Sequence, residues 1–549
     1  MAIFFIRKPF KMNRKDFLKT SLYLGAGLSF IGCLNEKTET GIQENNWDDG
    51  VVAHILPTVN HNRILVATSF KRVVNDPVLK VGNTSFKGQM RDSKGYFWAF
   101  DCPNLTADTP YILQLLEANE ALCDAWPLKT FPAPDADVLH LKLMVYTCAG
   151  GHPKAQDLIP VPDNMREAST HFAKKRVALL NRGLSYQPDA LVIIGDTIYW
   201  DLSGNGKGRL GTSSDERAIA IAGQFDATKP ILGTENEEVL KRAVSPQIID
   251  LYGTACRSTP VFVFKDDHDY WENDEASDAL ITFPPKPFQL KLGRIVQQMY
   301  LPEFLPDDNR PLDLPGTGAS DRPSNVSESF GTLRYGNLAE LLMYDCRRFV
   351  TLTGEKAQFL PESAEKWLHS RTVDQEVKHT LHVPSTPFGW SAGKWLEWYP
   401  DFLGKDGKLH DNLNKPYWQR GWQLQHDRIL QSMYNAKHKK PIMISGDLHA
   451  FASGRIYQNG VTKMEDNPIH CFLSGPLGCT VFPSTFRKTK AATPTAIHIE
   501  EDFENIEENG FSIVYFDSRN VQVDMYKYLW SRDDLKITNE LEAFTSLKV

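Results

Sequence analysis

Three short stretches of this chain set carboxylates, imidazoles and a phenol a few residues apart: Gly195-Asp196-Thr197-Ile198-Tyr199, Asp266-Asp267-His268-Asp269 and Gly446-Asp447-Leu448-His449. Each follows an apolar run with the look of a buried strand, Ala190–Gly195, Pro260–Phe264 and Pro441–Ser445. Two further runs end in the same way. Leu139–Thr147 leads into Cys148, with His152 close behind, and Glu340–Tyr344 leads into Asp345-Cys346-Arg347. Asp, His, Cys and Tyr are all competent metal ligands. A solvated loop explains any one of these stretches. Five together are harder to explain that way, because carboxylates converging at one edge repel unless a cation joins them.

The elements that carry these residues alternate. Strands are also expected at Ile469–Leu473 and Phe511–Phe516, and helical periodicity runs through Met165–Leu184, Val239–Tyr252, Leu290–Tyr300 and Trp418–Ala436. Runs that are apolar throughout imply strands buried on both faces, with helices outside. In open α/β sheets, ligands sit beyond the carboxyl ends of the strands, where the polar residues cluster here. Upstream, residues 51–136 hold short alternating runs such as Arg63–Ala67, Gly95–Phe100 and Tyr111–Leu115, separated by turn-forming residues. They read as a small β-sandwich. Cys102 and Cys123 could pair there or stand as separate buried thiols. The segments Asp201–Val239 and Phe283–Ser329 are expected to wall a pocket, with Gly204, Gly206, Gly208 and Gly211 giving the first a mobile flap.

The leader reads as export. Arg7, Lys8, Lys11, Arg14 and Lys15 precede an apolar stretch, Leu22–Ile31, then Gly32-Cys33 and the polar linker 34–50. Asn13 to Lys19 resembles a twin-arginine signal with Lys15 at the second arginine. Phe30-Ile31-Gly32-Cys33 resembles a lipoprotein cleavage box. A lipidated Cys33 and a plain signal peptide both remain open, so the destination is the periplasm, cell surface or exterior, with or without a membrane anchor. The full chain of 549 residues has 61 basic and 68 acidic residues, a net charge of -7. Without residues 1–33, 55 basic face 67 acidic residues, a net charge of -12. That balance argues against a nucleic-acid-coating surface. With 42% hydrophobic and 23% charged residues, the composition excludes a mostly disordered or fibrous chain.

Taken in order, Gly195-Asp196-x-x-Tyr199, Asp266-Asp267-His268-Asp269 and Gly446-Asp447-x-His449 resemble the calcineurin-like metallophosphoesterase signature, in the variant form of the PhoD-like alkaline phosphatases. The stretches Tyr344–Phe349 and Gly421–Arg428 support the resemblance, as do the leader and the β-domain. It implies an α/β/β/α sandwich over 137–549, preceded over 51–136 by a fibronectin-III-like β-sandwich. It also implies a metal-dependent hydrolase acting on a small phosphate ester. Carried over, Asp196 bridges two metals, and Tyr199, Cys148 and His449 bind the first of them. Asp267 and Asp447 bind the second, and His268 is an outer-sphere catalytic histidine. The common first motif is absent, so His152 competes with Cys148 for its place. Asp345, Arg347 and Asn273 are candidates for support of the ligands or for phosphate contact. The histidine usually found before the last motif has no clear match among His369, His379, His382, His410, His426 and His438.

Thiolate, phenolate and carboxylate suit Fe³⁺, and an oxygen-rich pocket suits Ca²⁺, with Mn²⁺, Mg²⁺ or Zn²⁺ as alternatives. Two cations roughly 3.5–4 Å apart neutralise phosphoryl oxygens and activate water. Monoester and diester hydrolysis, including phospholipase D-like chemistry, both follow from such a centre. A non-catalytic surface binding protein is the competing reading. Retention of both Asp267 and His268 argues against it.

Overall fold

The computed structural model describes residues 47–156, 172–200, 216–270, 276–277, 280–281, 285–303, 329–392, 402–403, 409–410, 420–478, 491–492, 497–529 and 535–549. Cys33, Asn273 and the Gly204–Gly211 segment expected above to form a flap lie outside them.

Two sheets carry the polar strand ends. The first has six strands in the order Val261–Phe264, Ala190–Ile194, Leu141–Thr147, Asn509–Phe516, Val521–Tyr528, Thr545–Lys548. Its first three are parallel, and their register sets Thr147 beside Ile194 and Ile194 beside Phe264. Three chains therefore leave the sheet at one level, carrying Cys148, Asp196 and the Asp266–Asp269 stretch. The second sheet runs Phe330–Tyr335, Ala339–Tyr344, His379–Pro384, Ile442–Ser445, Ile469–Leu473, Ala452–Asn459, Thr462–Lys463, with Ile497–Glu501 also on the Ala452–Asn459 strand. Four of these are mutually parallel, so Asp345 and Asp447 also follow carboxyl ends.

The five strand ends thus belong to two sheets, and the sheets touch where the site lies. The Leu477 N–H donates to the Thr147 carbonyl at 2.9 Å, and Ser474 Oγ donates to the Val145 carbonyl at 2.8 Å. Thr147 Oγ1 accepts the Asp447 N–H at 3.2 Å. Gly446 lies so close to Thr147 that any Cβ there would collide with its side chain.

Each sheet shares a core with its own helices. Leu179 and Leu180 of the helix Phe172–Leu184, Leu240 and Ile248 of Glu235–Tyr252, and Leu292 and Met299 of Pro287–Tyr300 join Tyr146, Ile193 and Val263 of the first sheet. Leu368 of Glu362–Thr372 and Ile429 of Arg420–Asn435 join Leu342 and Leu473 of the second. Full burial of such side chains stabilises by about 1.5–3 kcal/mol each. Thr234 caps the helix Glu235–Tyr252 by accepting the Asn236 N–H at 3.2 Å, with Glu235, Glu237 and Glu238 in its first turn to complement the dipole.

Among the described residues, 52–129 form only strands, in a four-stranded and a five-stranded sheet. Asp92 ties this region to the helix Glu235–Tyr252, accepting Lys241 Nζ at 2.8 Å, and His54 is buried with Nε2 3.0 Å from the Tyr300 carbonyl. Residues 48–549 form one compact unit. Cys102 and Cys123 are both free thiols, so the cross-strand pairing considered above is absent. Trp390 is buried in the core of the second sheet, with Nε1 donating to Glu501 at 2.8 Å.

Candidate metal centre

Cys148, Asp196 and His449 bring one ligand atom each to within 4.8 Å of one another, and so do Asp196, Asp267 and His268, and Asp266, Asp267 and Asp447. The three groups share members and form one continuous cluster around Asp196 and Asp267. Tyr199 belongs to it as well: its hydroxyl donates to Asp196 Oδ2 at 3.0 Å and lies 3.1 Å from His449 Nε2. Cys148 Sγ is 3.4 Å from the same carboxylate oxygen. The ring of His268 lies over that of Tyr199, centroids 4.1 Å apart.

These positions are held under strain. Cys148, Asp196, Asp447 and His449 all have positive φ, at 48°, 54°, 70° and 54°. Such conformations cost non-glycine residues about 1–3 kcal/mol each and persist where the surroundings impose them. Asp269 imposes one of them. Its Oδ2 accepts the N–H groups of Asp196 at 2.8 Å and Asp266 at 3.0 Å. Its Oδ1 accepts those of Thr197 at 3.0 Å and Ile198 at 3.1 Å, and the Thr197 hydroxyl at 2.7 Å. Gly195, at φ 62°, packs against Asp266 where a Cβ would collide.

The electrostatics call for cations. Burial, then Asp267, Asp266, Asp269 and Asp447, push the Asp196 carboxyl well above the usual range. Protonation or a bound cation relieves that repulsion. Arg347 serves other carboxylates of the cluster: its Nε donates to Asp266 at 2.6 Å and its Nη2 to Asp447 at 2.9 Å. Thiol, phenol, imidazole and carboxylate around Asp196, with carboxylates alone beyond Asp267, are a donor set that fits a softer or high-charge ion beside a hard one.

The expected ligands Cys148, Asp196, Tyr199, Asp267, Asp447 and His449 are therefore brought together, with His268 among them. His152 is not. Its Nε2 lies 3.2 Å from the Arg242 carbonyl, and its Nδ1 accepts the Lys154 N–H at 3.2 Å. Asp345 lies one layer out: it accepts the Tyr270 hydroxyl at 2.5 Å and the N–H groups of Arg347 and Arg348, tying the second sheet to the Asp266–Asp269 loop. With Arg347 held on two carboxylates, ion pairing rather than phosphate contact is what the geometry provides. Of the other histidines, His369 meets Glu365, His379 the Asp517 carbonyl, His382 Tyr344 and Thr372, and His438 the Asp374 carbonyl, while His426 packs edge-on against Phe388.

Four residues without an expected role support the cluster: Asp266 and Asp269, and Gln247 and Arg176, which bond the loops that carry Tyr199 and Cys148. Asp266 and Asp269 sit inside a recognised motif. Gln247 and Arg176 lie on helices remote in sequence and carry no local signal, apart from Pro246 interrupting its helix.

The family model of the PhoD-like phosphatases matches residues 169–525. A solved structure described as the structure of PhoD superposes with a TM-score of 0.55 at 13% identity, covering 90% of this chain and 89% of that one. Two further solved structures match far less well. The type III pullulan hydrolase from Thermococcus kodakarensis has a TM-score of 0.13 at 9% identity, covering 72% of this chain and 60% of that one. The Bacteroides uniformis beta-glucuronidase 3 has a TM-score of 0.19 at 7% identity, covering 91% and 62%. No curated protein matches the sequence. With a family match over well more than half its length and a mixed α/β fold like that of the PhoD structure, the chain belongs to the PhoD-like phosphatase family.

Proposed function

We propose that this protein is an exported, metal-dependent phosphoesterase that hydrolyses phosphate monoesters, diesters or both. The carrying observation is the single cluster in which Cys148, Asp196, Tyr199, Asp267, His268, Asp447 and His449 meet. Asp196, with an oxygen toward Tyr199 and Cys148 and a place in the group with Asp267, would be shared by both ions of a metal pair. Cys148, Tyr199 and His449 would hold one ion, for which we favour Fe³⁺. Asp267 and Asp447, with Asp266, would hold the other, for which we favour Ca²⁺. When bound, such a pair supplies Lewis acidity toward phosphoryl oxygens and lowers the pKa of water toward neutrality. The chain's own part is to hold the ligands and move a proton. His268, largely buried at 8% exposure, has an Nδ1 without a hydrogen-bond partner among the described residues. That leaves its ring able to donate to a leaving oxygen.

We read the two sheets with their separate helical cores as the α/β/β/α sandwich, and the sheets within 51–136 as the fibronectin-III-like domain. The basic and apolar leader supports export, with Cys33 as the site of an anchor. The test is hydrolysis of p-nitrophenyl phosphate and of its bis-ester by purified protein before and after chelation. Chelation should abolish turnover. Full activity after exhaustive metal removal would overturn the reading, and the ratio of the two rates assigns monoester or diester preference.

A further inference from the structure

One buried amide joins two parts of the centre that the sequence keeps about fifty residues apart. Gln247, fully buried on the helix Glu235–Tyr252, accepts on Oε1 the N–H of Gly151 at 2.7 Å and the N–H of Tyr199 at 2.9 Å. Its Nε2 donates to the Tyr199 carbonyl at 3.0 Å and to the Ala243 carbonyl at 2.9 Å. Two N–H donors on one side and two carbonyls on the other fix the orientation of the amide. The preceding residue extends the same device. Pro246 has no N–H to give the carbonyl of Arg242 four residues earlier, and His152 Nε2 lies 3.2 Å from that carbonyl. Arg176 holds the other side of the loop, donating Nη1 to the carbonyls of Ala149 at 2.7 Å and Gly151 at 3.1 Å. Between these anchors the two loops touch. The Gly150 N–H donates to the Asp196 carbonyl at 2.9 Å, and a Cβ on Gly150 would lie 2.7 Å from the Tyr199 ring.

We propose that Gln247 is a positioning residue that sets the distance between the Cys148 thiol and the Tyr199 hydroxyl, and thereby the affinity of the first metal position. Cys148 sits three residues before Gly151, and Tyr199 is held directly at both its N–H and its carbonyl. Neither side chain has a regular strand or helix to fix it, since both lie beyond strand ends. A buried carboxamide that makes three of its four hydrogen bonds to these two loops, and the fourth to its own helix at Ala243, ties the loops to the helix as a unit. Partners behind metal ligands typically matter by 10–100-fold in affinity. The inference rests on the metal-centre reading above.

A matched control exists elsewhere in the chain. Gln425 is equally buried on the helix Arg420–Asn435. It accepts the N–H groups of Phe359 and Leu360 and donates to the Leu360 carbonyl and to Glu365, none of them a site residue. The experiment titrates Co²⁺ into metal-free full-length protein, following visible and thiolate-to-cobalt absorption, with thermal unfolding recorded alongside. Gln247→Met should bind Co²⁺ at least about 10-fold more weakly, with a diminished thiolate band. Gln425→Met should lose comparable thermal stability yet bind Co²⁺ like the wild type. Gln247→Glu keeps Oε1 and shape but not the donation to Tyr199, and should fall between. If Gln247→Met does not fold, Gln247→Glu decides. A folded Gln247 variant with wild-type Co²⁺ affinity and band overturns the proposal, as does an equal loss in Gln425→Met. Wild-type protein that binds no Co²⁺ would instead overturn the metal-centre reading itself.

Discussion

The carboxylate of Asp269 accepts the backbone N–H of Asp196 at 2.8 Å, so the last residue of one motif dictates the backbone of another 73 positions away. The same side chain takes four further donors from Thr197, Ile198 and Asp266. Asp269→Asn would turn an NH₂ group toward at least two of these N–H groups. Hydrogen bonds to a charged group contribute about 1.5–3 kcal/mol, and a buried mismatch adds to their loss. We expect a loss of roughly 2–4 kcal/mol in urea unfolding together with at least a tenfold fall in kcat/KM. Wild-type stability in this variant would mean that the Asp196 turn is held by other contacts.

His268→Ala separates a proton donor from a ligand. As an outer-sphere acid, its removal should lower kcat by about 10²-fold or more with metal content unchanged, and less for esters with good leaving groups. A ring nitrogen of His268 also lies within 4.8 Å of carboxylate oxygens of Asp196 and Asp267, close enough to share an ion with them. Metal stoichiometry falling in step with activity would reassign it as a ligand.

Phenolate and thiolate on Fe³⁺ absorb visible light, whereas Zn²⁺ with its filled d shell does not. Concentrated protein purified with its metal should therefore be coloured. Tyr199→Phe should bleach or shift the band, and Cys148→Ser should change it independently. A colourless, active zinc protein would remove iron from the assignment.

Acid should destabilise the second sheet's helices through Glu365. Burial alone would raise this carboxyl, but Arg428, His369 and Gln425 outweigh it and hold it at about 2 against an ordinary 4.5. A group depressed on folding contributes stability that is complete above its unfolded value and is lost as the pH falls toward the folded one. The window is thus from about 4.5 down to about 2. Glu365→Gln should unfold at lower temperature than wild type at neutral pH, and its thermal midpoint should fall less steeply across that window. Parallel curves for the two proteins would show that Glu365 contributes nothing to acid lability.

The strand ends were legible because Val, Ile and Leu runs that stop abruptly at Asp, Cys or His are a local pattern. Ala190–Ile194 and Ile469–Leu473 stand within a residue of where the apolar runs lie. His379–Pro384 was not legible: two histidines, a threonine and a proline in six residues hide a strand whose burial comes from its neighbours on both sides. In the site, residue types marked the candidate ligands, and the geometry sets Cys148 rather than His152 beside Asp196. Cys148 and His152 compete on paper, and only the path of the chain through Gly150 and Gly151 sends the imidazole toward Arg242. The role of Gln247 was out of reach, since its partners are loops far away in sequence. The left-handed turns at Asp447 and His449 were likewise not marked by a glycine in the sequence.

The seam at Thr147 has a consequence for how the protein matures. Cys148 Sγ reaches the Asp447 carbonyl across 299 positions, so half of the centre exists only after most of the chain has been made and both sheets have docked. Long-range closure of this kind is slow compared with local helix formation. Until it is complete, an ion meets only the partial site offered by the Cys148, Asp196 and Asp267 loops. Afterwards it neutralises repulsion that the finished fold would otherwise carry. With the metal-centre reading proposed above, capture of metal is expected to be a late, sealing event that draws the folding equilibrium toward the assembled seam. A protein deprived of metal should then show its first looseness between the sheets, at Thr147 and Leu477, while each sheet with its own helices stays intact.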